Sequence, residues 1–395
     1  MNVLKNNHGV KAAILGTLVA DASGMGVHWI YSQGKIKQIV QNAGDTAEFL
    51  EPDPENYQGV PAFFAHPHRH AGDGSNYSEY IYVLLQAVSE AGFDRATYIR
   101  VFQEYFGPGG EYVGYADGPM RETVYNITRL GKEIQQRVLD AETTLPPERL
   151  SSAAHYISRY YFEFDREGLK EQVRTPLKLQ QWSTQELSEA DRLIDAVSGE
   201  LSGLGPDDDQ MPALSRSAVL AHFYEGDELD RMVEQAVRIT NNNDAAVVYS
   251  QFLAHVMRDL YVQGAGENPA ATLYELAVKR LPLLGEKAQQ LVRQALDWEG
   301  LDIRGATKTF GAACHVDMSV PLVLHILVNT ATFREANRMN ILASGDNCGR
   351  AIMLGPLAGG MYGIGGDRGI PEEWIWRTTM VERIHQTTGG VLLTG

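Results

Sequence analysis

The sequence predicts an all-α globule. Apolar residues recur at helical spacing along nearly the whole chain, and no segment alternates with a period of two. With 44% hydrophobic against 21% charged residues in 395, the chain also has ample apolar surface for a large core, and composition excludes disorder. The clearest repeats are Tyr77, Tyr80, Ile81, Leu84, Leu85 and Val88, and then Ala245, Val248, Tyr249, Phe252, Leu253, Val256, Met257 and Leu260. Each set lines one face of a helix.

In chain order, helical patterns run through 9–23, 77–88, 94–106, 187–201, 212–224, 228–239, 245–260, 268–279, 285–299, 319–328, 333–342, 348–362 and 371–386. Between them lie the polar loops 65–77, 107–123, 203–216, 240–244, 311–317 and 344–350, where ligand chemistry is expected. No Pro/Gly/Ser linker divides the chain, so one domain over 1–395 is expected. The 39 glycines suit close helix packing and functional loops.

Charge and cysteine content narrow the function. Lys and Arg number 34 against 50 Asp and Glu, a formal net charge of −16. Such a surface repels polyanions, and no basic run overrides it, so no nucleic-acid partner is expected. No stretch reads as the 18 to 20 apolar residues of a membrane span, and the apolar run 10–22, interrupted by Lys11 and Asp21, reads as mature structure. Cys314 and Cys348 are too few for a disulfide framework, which makes a reducing, cytoplasmic setting the expectation. A small-molecule substrate is the expected partner; the oligomeric state is not legible.

Four places in order resemble the ADP-ribosylglycohydrolase family, which includes ADP-ribosylarginine hydrolase, the dinitrogenase-reductase-activating glycohydrolase and the J1 crystallins. Gly16-Thr-Leu-Val-Ala-Asp21-Ala-Ser-Gly24 resembles G-x-L-x-G-D-A-x-G. Gly74-Ser75-Asn76-Tyr77-Ser78-Glu79 falls where the family has T-D-D-T-x, and Ile239-Thr-Asn-Asn-Asn-Asp244 is similar to I-T-H-N-D. Ser344-Gly345-Asp346-Asn347-Cys348-Gly349, Pro356-Leu-Ala-Gly-Gly-Met-Tyr-Gly363 and Ile370-Pro-Glu-Glu-Trp374 resemble G-G-D-T-D-T, L-A-G-A-x-x-G and I-P-x-x-W.

The resemblance implies an all-α multi-helix ADP-ribosylglycohydrolase-like bundle with a dimagnesium site held by T-D-D and D-x-D-[ST], plus a Glu near the end of the first motif. Carried over by position, T-D-D becomes Ser75-Asn76-Tyr77, D-x-D-T becomes Asp346-Asn347-Cys348-Gly349, and the Glu falls on or near His28. Only Asp346 keeps a carboxylate, and Mg²⁺ wants several anionic oxygens. No cofactor is therefore expected; Mg²⁺ would enter only at an altered family site.

The resemblance brings Asp346, Cys348 and His28 to one cleft. A thiolate near a helix N-terminus and a protonated imidazole would have a lowered pKa, making Cys348 a candidate nucleophile and His28 its acid or base. The bland alternative is a buried, inert thiol. Asp346 is a helix N-cap or a retained functional carboxylate. Asp209 or Asp208, in Gly205-Pro-Asp-Asp-Asp-Gln-Met-Pro212, is a candidate general base or part of a solvated acidic turn. Asn76 and Glu79 have capping-box spacing. Asn76, Tyr77, Tyr115, Asp117, Asp208, Gln210, Asn347 and Arg350 are candidate substrate contacts. Asp21, on an apolar helix face, is placed in a supporting network. Cys314 and His315 form a second thiol/imidazole pair of unknown orientation.

His66-Pro-His68-Arg-His70 is a candidate metal site, since alternate residues of an extended segment share a face. A relocated centre would use Asp346, Asp73, His66 and His68. Three functions follow: a hydrolase of a glycosidic or related C–N bond in a small polar, ribosyl-like substrate; a non-catalytic ligand-binding or crystallin-like descendant; or a metal enzyme with the relocated His/Asp site. Elimination or transfer chemistry would suit the same scaffold.

Overall fold

The computed structural model describes residues 8–89, 91–164, 166–197, 204–390 and 392–393. The described residues form helices α1 (His8–Gly24), α2 (Gln33–Asn42), α3 (Asn76–Gln86), α4 (Arg95–Phe106), α5 (Gly118–Leu139), α6 (Pro147–Tyr160) and α7 (Arg166–Leu179). Then follow α8 (Thr184–Val197), α9 (Ser217–Phe223), α10 (Gly226–Val237), α11 (Asp244–Gln263), α12 (Pro269–Arg280) and α13 (Glu286–Asp297). The last are α14 (Ile303–Phe310), α15 (Val316–Val328), α16 (Phe333–Leu342), α17 (Asn347–Tyr362), α18 (Glu372–Arg377) and α19 (Thr379–Thr387). The all-α expectation holds. Among the described residues the one strand pair is β1 (Val88–Ser89) with β2 (Gly92–Phe93), in which Gly92 has φ +100°.

Helices α2, α5, α6, α7 and α14 lie where no helix is read from the sequence, and residues 118–123 are helical rather than loop. Gly118-Pro119 and Pro146-Pro147 look like breaks. Pro in the first turn gives up only an N–H that has no intrahelical partner, so it starts a helix as readily as it ends one. The pattern at 371–386 divides at Thr378 into α18 and α19, and 212–224 divides into a short 3₁₀ turn, Met211–Arg216, and α9. Residues 198–201 of the pattern at 187–201 lie outside the described residues.

The central contact is α1 against α17. A Cβ on Gly16 would stand 2.2 Å from the Gly355 carbonyl oxygen, and one on Gly359 would stand 2.1 Å from that of Ala12. The two backbones touch, which only glycine allows. By length and hydropathy His8–Val27 would suffice to cross a membrane, a longer apolar stretch than the sequence reading recognised; every residue of its apolar window is buried inside the fold. Around this pair α17 meets α11, α15 and α16, while α5, α6, α7 and α8 pack on one another and join through α4 and α5. The site forms where the end of α1, the start of α3 and the start of α17 converge.

Candidate functional site

Short backbone bridges fix the site before any side chain is considered. Residues 29–31 lie between two other segments: Trp29 N–H donates to Gly345 O (2.9 Å), Gly345 N–H to Ile30 O (2.7 Å), Phe63 N–H to Trp29 O (3.1 Å) and Tyr31 N–H to Pro61 O (2.9 Å). Trp29 (φ +64°) and Ser344 (φ +66°) are both held in the left-handed region. For non-glycine residues that costs about 1–3 kcal/mol each, a strain typical of functional sites. On the other side Asp346 N–H donates to Ala312 O (2.9 Å), Met211 N–H to Cys314 O (2.9 Å) and Val316 N–H to Asp209 O (3.0 Å). The 207–210, 312–316 and 344–346 loops are thereby laced together.

Asp346 is the N-cap of α17, accepting from Gly349 N–H (3.0 Å). The same Oδ1 lies 2.8 Å from His28 Nε2, and Tyr77 donates its O–H to Oδ2 at 3.3 Å. His28 Nδ1 lies 2.8 Å from His66 Nε2. Asp346, His28 and Tyr77 are wholly buried, and His66 nearly so. Burial holds the His66 pKa well below 6.5 and drives that of Tyr77 up, so Tyr77 keeps its proton. With Asp346 accepting, a neutral His28 carries hydrogen on Nε2 and accepts at Nδ1 from His66 Nε2–H. The chain then ends in a bare nitrogen, His66 Nδ1, for which no hydrogen bond is found among the described residues.

A second group is built on Asp117, the N-cap of α5. Its carboxylate accepts from Met120 N–H, Tyr80 O–H and Asn76 Nδ2, each at 2.8 Å. Burial pushes its pKa up to about 6, and the Asp208 charge adds to that. Asp208 accepts from Asn241 Nδ2 (2.9 Å) and Gln210 N–H (2.9 Å), and its pKa too is raised by burial. Asp209 accepts from His315 Nδ1 at 2.7 Å, and that bond raises the imidazole pKa. The Cys314 thiol feels Asp346, Asp208 and Asp209 together, so these carboxylates share one neighbourhood. The accessible part comprises Asp209, His315, Cys314, Gln210, Tyr115, the 38%-exposed Tyr31 and the 52%-exposed Phe63. Trp29, Phe63 and Tyr115 form a mutual aromatic group with ring centroids 5.0–5.7 Å apart.

Several expectations need correction. Cys348 sits in the first turn of α17 but points at α1, its Sγ 3.6 Å from Asp21 O. It is fully buried, and burial followed by the Asp21 and Asp346 charges drives its pKa well up, the reverse of an activated thiolate. Burial likewise pushes Cys314 up to about 12. Asn347 and Arg350 are buried fasteners rather than accessible contacts. Asn347 donates to Gly24 O (2.7 Å); Arg350 donates to Asn340 Oδ1 (2.8 Å) and to the carbonyls of Asn340, Ser344 and Ala312. Ser75, not Asn76, caps α3, and Glu79 binds Tyr105 O–H (2.7 Å) and Arg69 (3.0 Å), so no capping box forms. Asp21 does sit in a network, accepting from Ser75 N–H (2.9 Å), Ser75 O–H (2.6 Å) and Ser78 O–H.

The histidine stretch does not converge. A turn at Pro67-His68 breaks the alternation: His66 points inward to His28, His68 is exposed, and His70 bonds Glu51 at 2.7 Å. Asp73 is taken by Thr379 Oγ1 (2.9 Å) and His70 N–H (2.8 Å). The relocated set Asp346, Asp73, His66 and His68 is therefore not assembled, and among the described residues no three His, Cys, Asp or Glu side chains converge to hold a metal. The family's dimagnesium donors do not fit here either. At those positions Asn76 turns its amide to Asp117, Tyr77 donates to Asp346, and Cys348 faces α1 as a neutral thiol. Sequence reasoning missed Trp29, Tyr31 and Phe63, which no motif marks, and the inward role of His66.

The ADP-ribosylglycohydrolase family model matches residues 6–394. Crystallin J1A of Tripedalia cystophora is 25% identical over 379 residues, covering 95% of this chain and 94% of the crystallin. Crystallin J1B of the same organism is 22% identical over 373 residues, 93% and 91% of the two chains. A solved structure titled an ADP-ribosylglycohydrolase-related protein complex covers 98% of this chain and 99% of its own, with a TM-score of 0.54 and 16% identity, a likeness of fold. The match over nearly the whole length, on an all-α scaffold, shows that the chain belongs to the ADP-ribosylglycohydrolase family.

Proposed function

We propose that this chain hydrolyses a glycosidic or related C–N bond in a small polar substrate, using side chains where the family resemblance implies two magnesium ions. The observation that supports the reading most is the buried Asp346–His28–His66 chain. Three titratable groups withdrawn from water cost stability unless bonded to one another, and their arrangement is that of a base oriented by a carboxylate through an imidazole. Water held at His66 Nδ1 would pass its proton to that nitrogen as its oxygen attacks the anomeric carbon. His28 and Asp346 would stabilise the charge that develops. His315, paired with Asp209, is the accessible proton donor for a leaving group that needs one.

The test is turnover of a panel of N-glycosides with metals chelated, in the parent and in Asp346→Asn. Asn keeps a side-chain oxygen for Gly349 N–H and loses the charge. Turnover that persists under chelation and falls about a hundredfold or more in a variant of unchanged melting temperature supports the reading. Activity that appears only with Mg²⁺ defeats it. A second reading, a non-catalytic descendant, is favoured by the similarity to crystallins J1A and J1B over more than 90% of the chain. No turnover and no ligand-induced thermal shift across the panel would select it.

A further inference from the structure

We propose that Arg216 is a positioning residue of the site: acting through Thr240 and Asn241, it holds the Asp208 carboxylate in place and in its charged form. Its effect on turnover rests on the C–N hydrolase reading above; the hydrogen-bond relay itself does not.

The starting observation is a buried cation that touches no anion. Arg216 closes the 3₁₀ turn Met211–Arg216 and is wholly buried. Its guanidinium donates to Pro212 O, Ser215 Oγ (3.1 Å), the Tyr98 hydroxyl oxygen (2.9 Å) and Thr240 Oγ1, all neutral, and among the described residues its Nε has no partner. Arginine does not give up its proton inside a protein, so a charge buried in this way is costly unless an anion balances it from close by.

The balance runs through Thr240-Asn241, the part of the 239–244 motif to which the hydrolase reading gives no task. Thr240 donates its O–H to Asn241 Oδ1 (2.8 Å), and Asn241 Nδ2 donates to Asp208 Oδ1 (2.9 Å). The direction of each bond is forced. A guanidinium only donates and a carboxylate only accepts, so the Thr240 hydrogen points away from Arg216 and the Asn241 amide turns its nitrogen to Asp208. Every dipole then runs from the cation to the anion. Thr240 and Asn241 are fully buried, and away from water such bonds reinforce one another.

The backbone holds the two ends of the relay in register. Asn242 N–H donates to Pro206 O (2.7 Å), Gly205 N–H donates to Arg238 O (3.1 Å), and a Cβ on Gly205 would stand 2.3 Å from the Thr240 carbonyl carbon. Asn241 and Gln210 N–H both occupy Oδ1 of Asp208, which leaves Oδ2 without a hydrogen bond among the described residues. That oxygen belongs to a carboxylate on which the Asp209 and His315 charges act, and His315 is the proton donor of the hydrolase reading. On its other side the guanidinium lies 5.1 Å from the centroid of the Tyr80 ring, whose O–H donates to Asp117 (2.8 Å). One buried cation thus stands behind both carboxylates. The remaining titratable groups around Asp208 are Asp209, His315, Asp117 and Cys314, and all four stay in place when the relay is cut.

The experiment follows Asp208 by carbon-13 NMR of the aspartate-labelled, full-length protein, its signal assigned with Asp208→Asn, in the parent, Arg216→Met, Arg216→Lys and Thr240→Val. Turnover of the chelated N-glycoside panel is measured against pH in the same proteins. Asp208 should bind its proton about tenfold more tightly in Arg216→Met and about threefold more tightly in Thr240→Val, which keeps the shape and loses the hydroxyl. Arg216→Lys, which keeps the charge, should recover most of the difference. The acid side of the pH profile should move to higher pH in step, a change that mere loosening of the fold does not produce. Should Arg216→Met not fold, Thr240→Val still tests the relay, and in the parent the nitrogen-15 signals of the Arg216 guanidinium and the Asn241 amide should move as Asp208 titrates. The proposal is overturned by an Asp208 titration unchanged in Arg216→Met and Thr240→Val, by Lys no better than Met, by Arg216 and Asn241 signals indifferent to Asp208, or by a pH profile that stays put while the Asp208 titration moves. The expected NMR changes in a protein that turns over nothing on the panel would sustain Arg216 as the holder of Asp208 and defeat the hydrolase reading. Metal-independent turnover with an unmoved Asp208 would do the opposite.

Discussion

His28 Nε2 lies 2.8 Å from Asp346 Oδ1, across 318 residues of sequence, and both side chains are fully buried. The contact joins the end of the first helix to the N-terminus of α17, so the bond that orients the imidazole also caps a helix. The hydrogen-bond order it sets places a proton on His66 Nε2 and leaves Nδ1 bare. Nitrogen-15 NMR of labelled histidine should show that tautomer for His66, unprotonated across neutral pH. Asp346→Asn should disturb the His28 and His66 ring signals together while leaving those of His255 alone, since His255 pairs separately with Asp230.

Asp117 should make stability depend on pH in the sense opposite to an ordinary carboxylate. Its folded pKa is about 6 against a reference of 3.8, so the folded chain holds the proton longer than the unfolded one. The associated stability is full below the unfolded value and is lost as pH rises to about 6. In Asp117→Asn that loss disappears, and the variant should gain up to about 3 kcal/mol on the parent between about pH 4 and pH 7. Asp21 and Asp208 are raised too and remain in both proteins, so the difference isolates Asp117. Denaturant melts at the two pH values measure it; a pH-independent difference would refute the assignment.

The His315–Asp209 pair has the same sign at higher pH. The carboxylate favours the charged imidazole, so the pair's contribution is full below 6.5 and disappears as pH rises through the elevated folded pKa. Proton NMR should find His315 titrating above 6.5, with Asp209→Asn returning it toward that value. Because the pair is partly exposed, high salt should diminish the shift.

Neither thiol should behave as a nucleophile. Native protein should take up iodoacetamide at neither Cys348 nor Cys314 at an accelerated rate, because burial holds both as neutral thiols. Unfolding should expose two reactive sulfurs. Cys348→Ala should keep its catalytic rate and lose about 1 kcal/mol of stability for the removed buried atom.

Gly355→Ala should reach the site through packing alone. A Cβ there would stand 2.6 Å from the Gly16 carbonyl oxygen, with backbone on both sides and nothing flexible to yield. The α1–α17 pair must separate, at about 3 kcal/mol or more, carrying the Asp346 end away from His28. Loss of the His28 ring signature described above, together with a lowered melting temperature, is the expected result; an unperturbed variant would show that the contact is looser than the geometry states.

Local pattern determined much of this protein. Apolar spacing placed α3 and α11, the glycine content suited close helix packing, Asp21 on an apolar face required partners, and Asp346 had the chemistry of a helix cap. Each of these is a property of residues a few positions apart, where sequence is informative. Tertiary structure alone decided the rest. The direction of Cys348 depends on the rotation of α17 against α1, which sends the thiol to Asp21 O rather than toward His28. His66 became a partner of His28 because a turn at Pro67-His68 ended the alternation that would have gathered three imidazoles. Trp29, Phe63 and Tyr115 lie far apart in sequence and carry no spacing signal, yet the bridges among residues 29–31, 61–63 and 344–346 bring Trp29 beside Phe63, and both meet the Tyr115 ring. The physical reason is common to all three: a side chain's chemistry depends on its neighbours and its distance from water, and backbone contacts between distant segments set both.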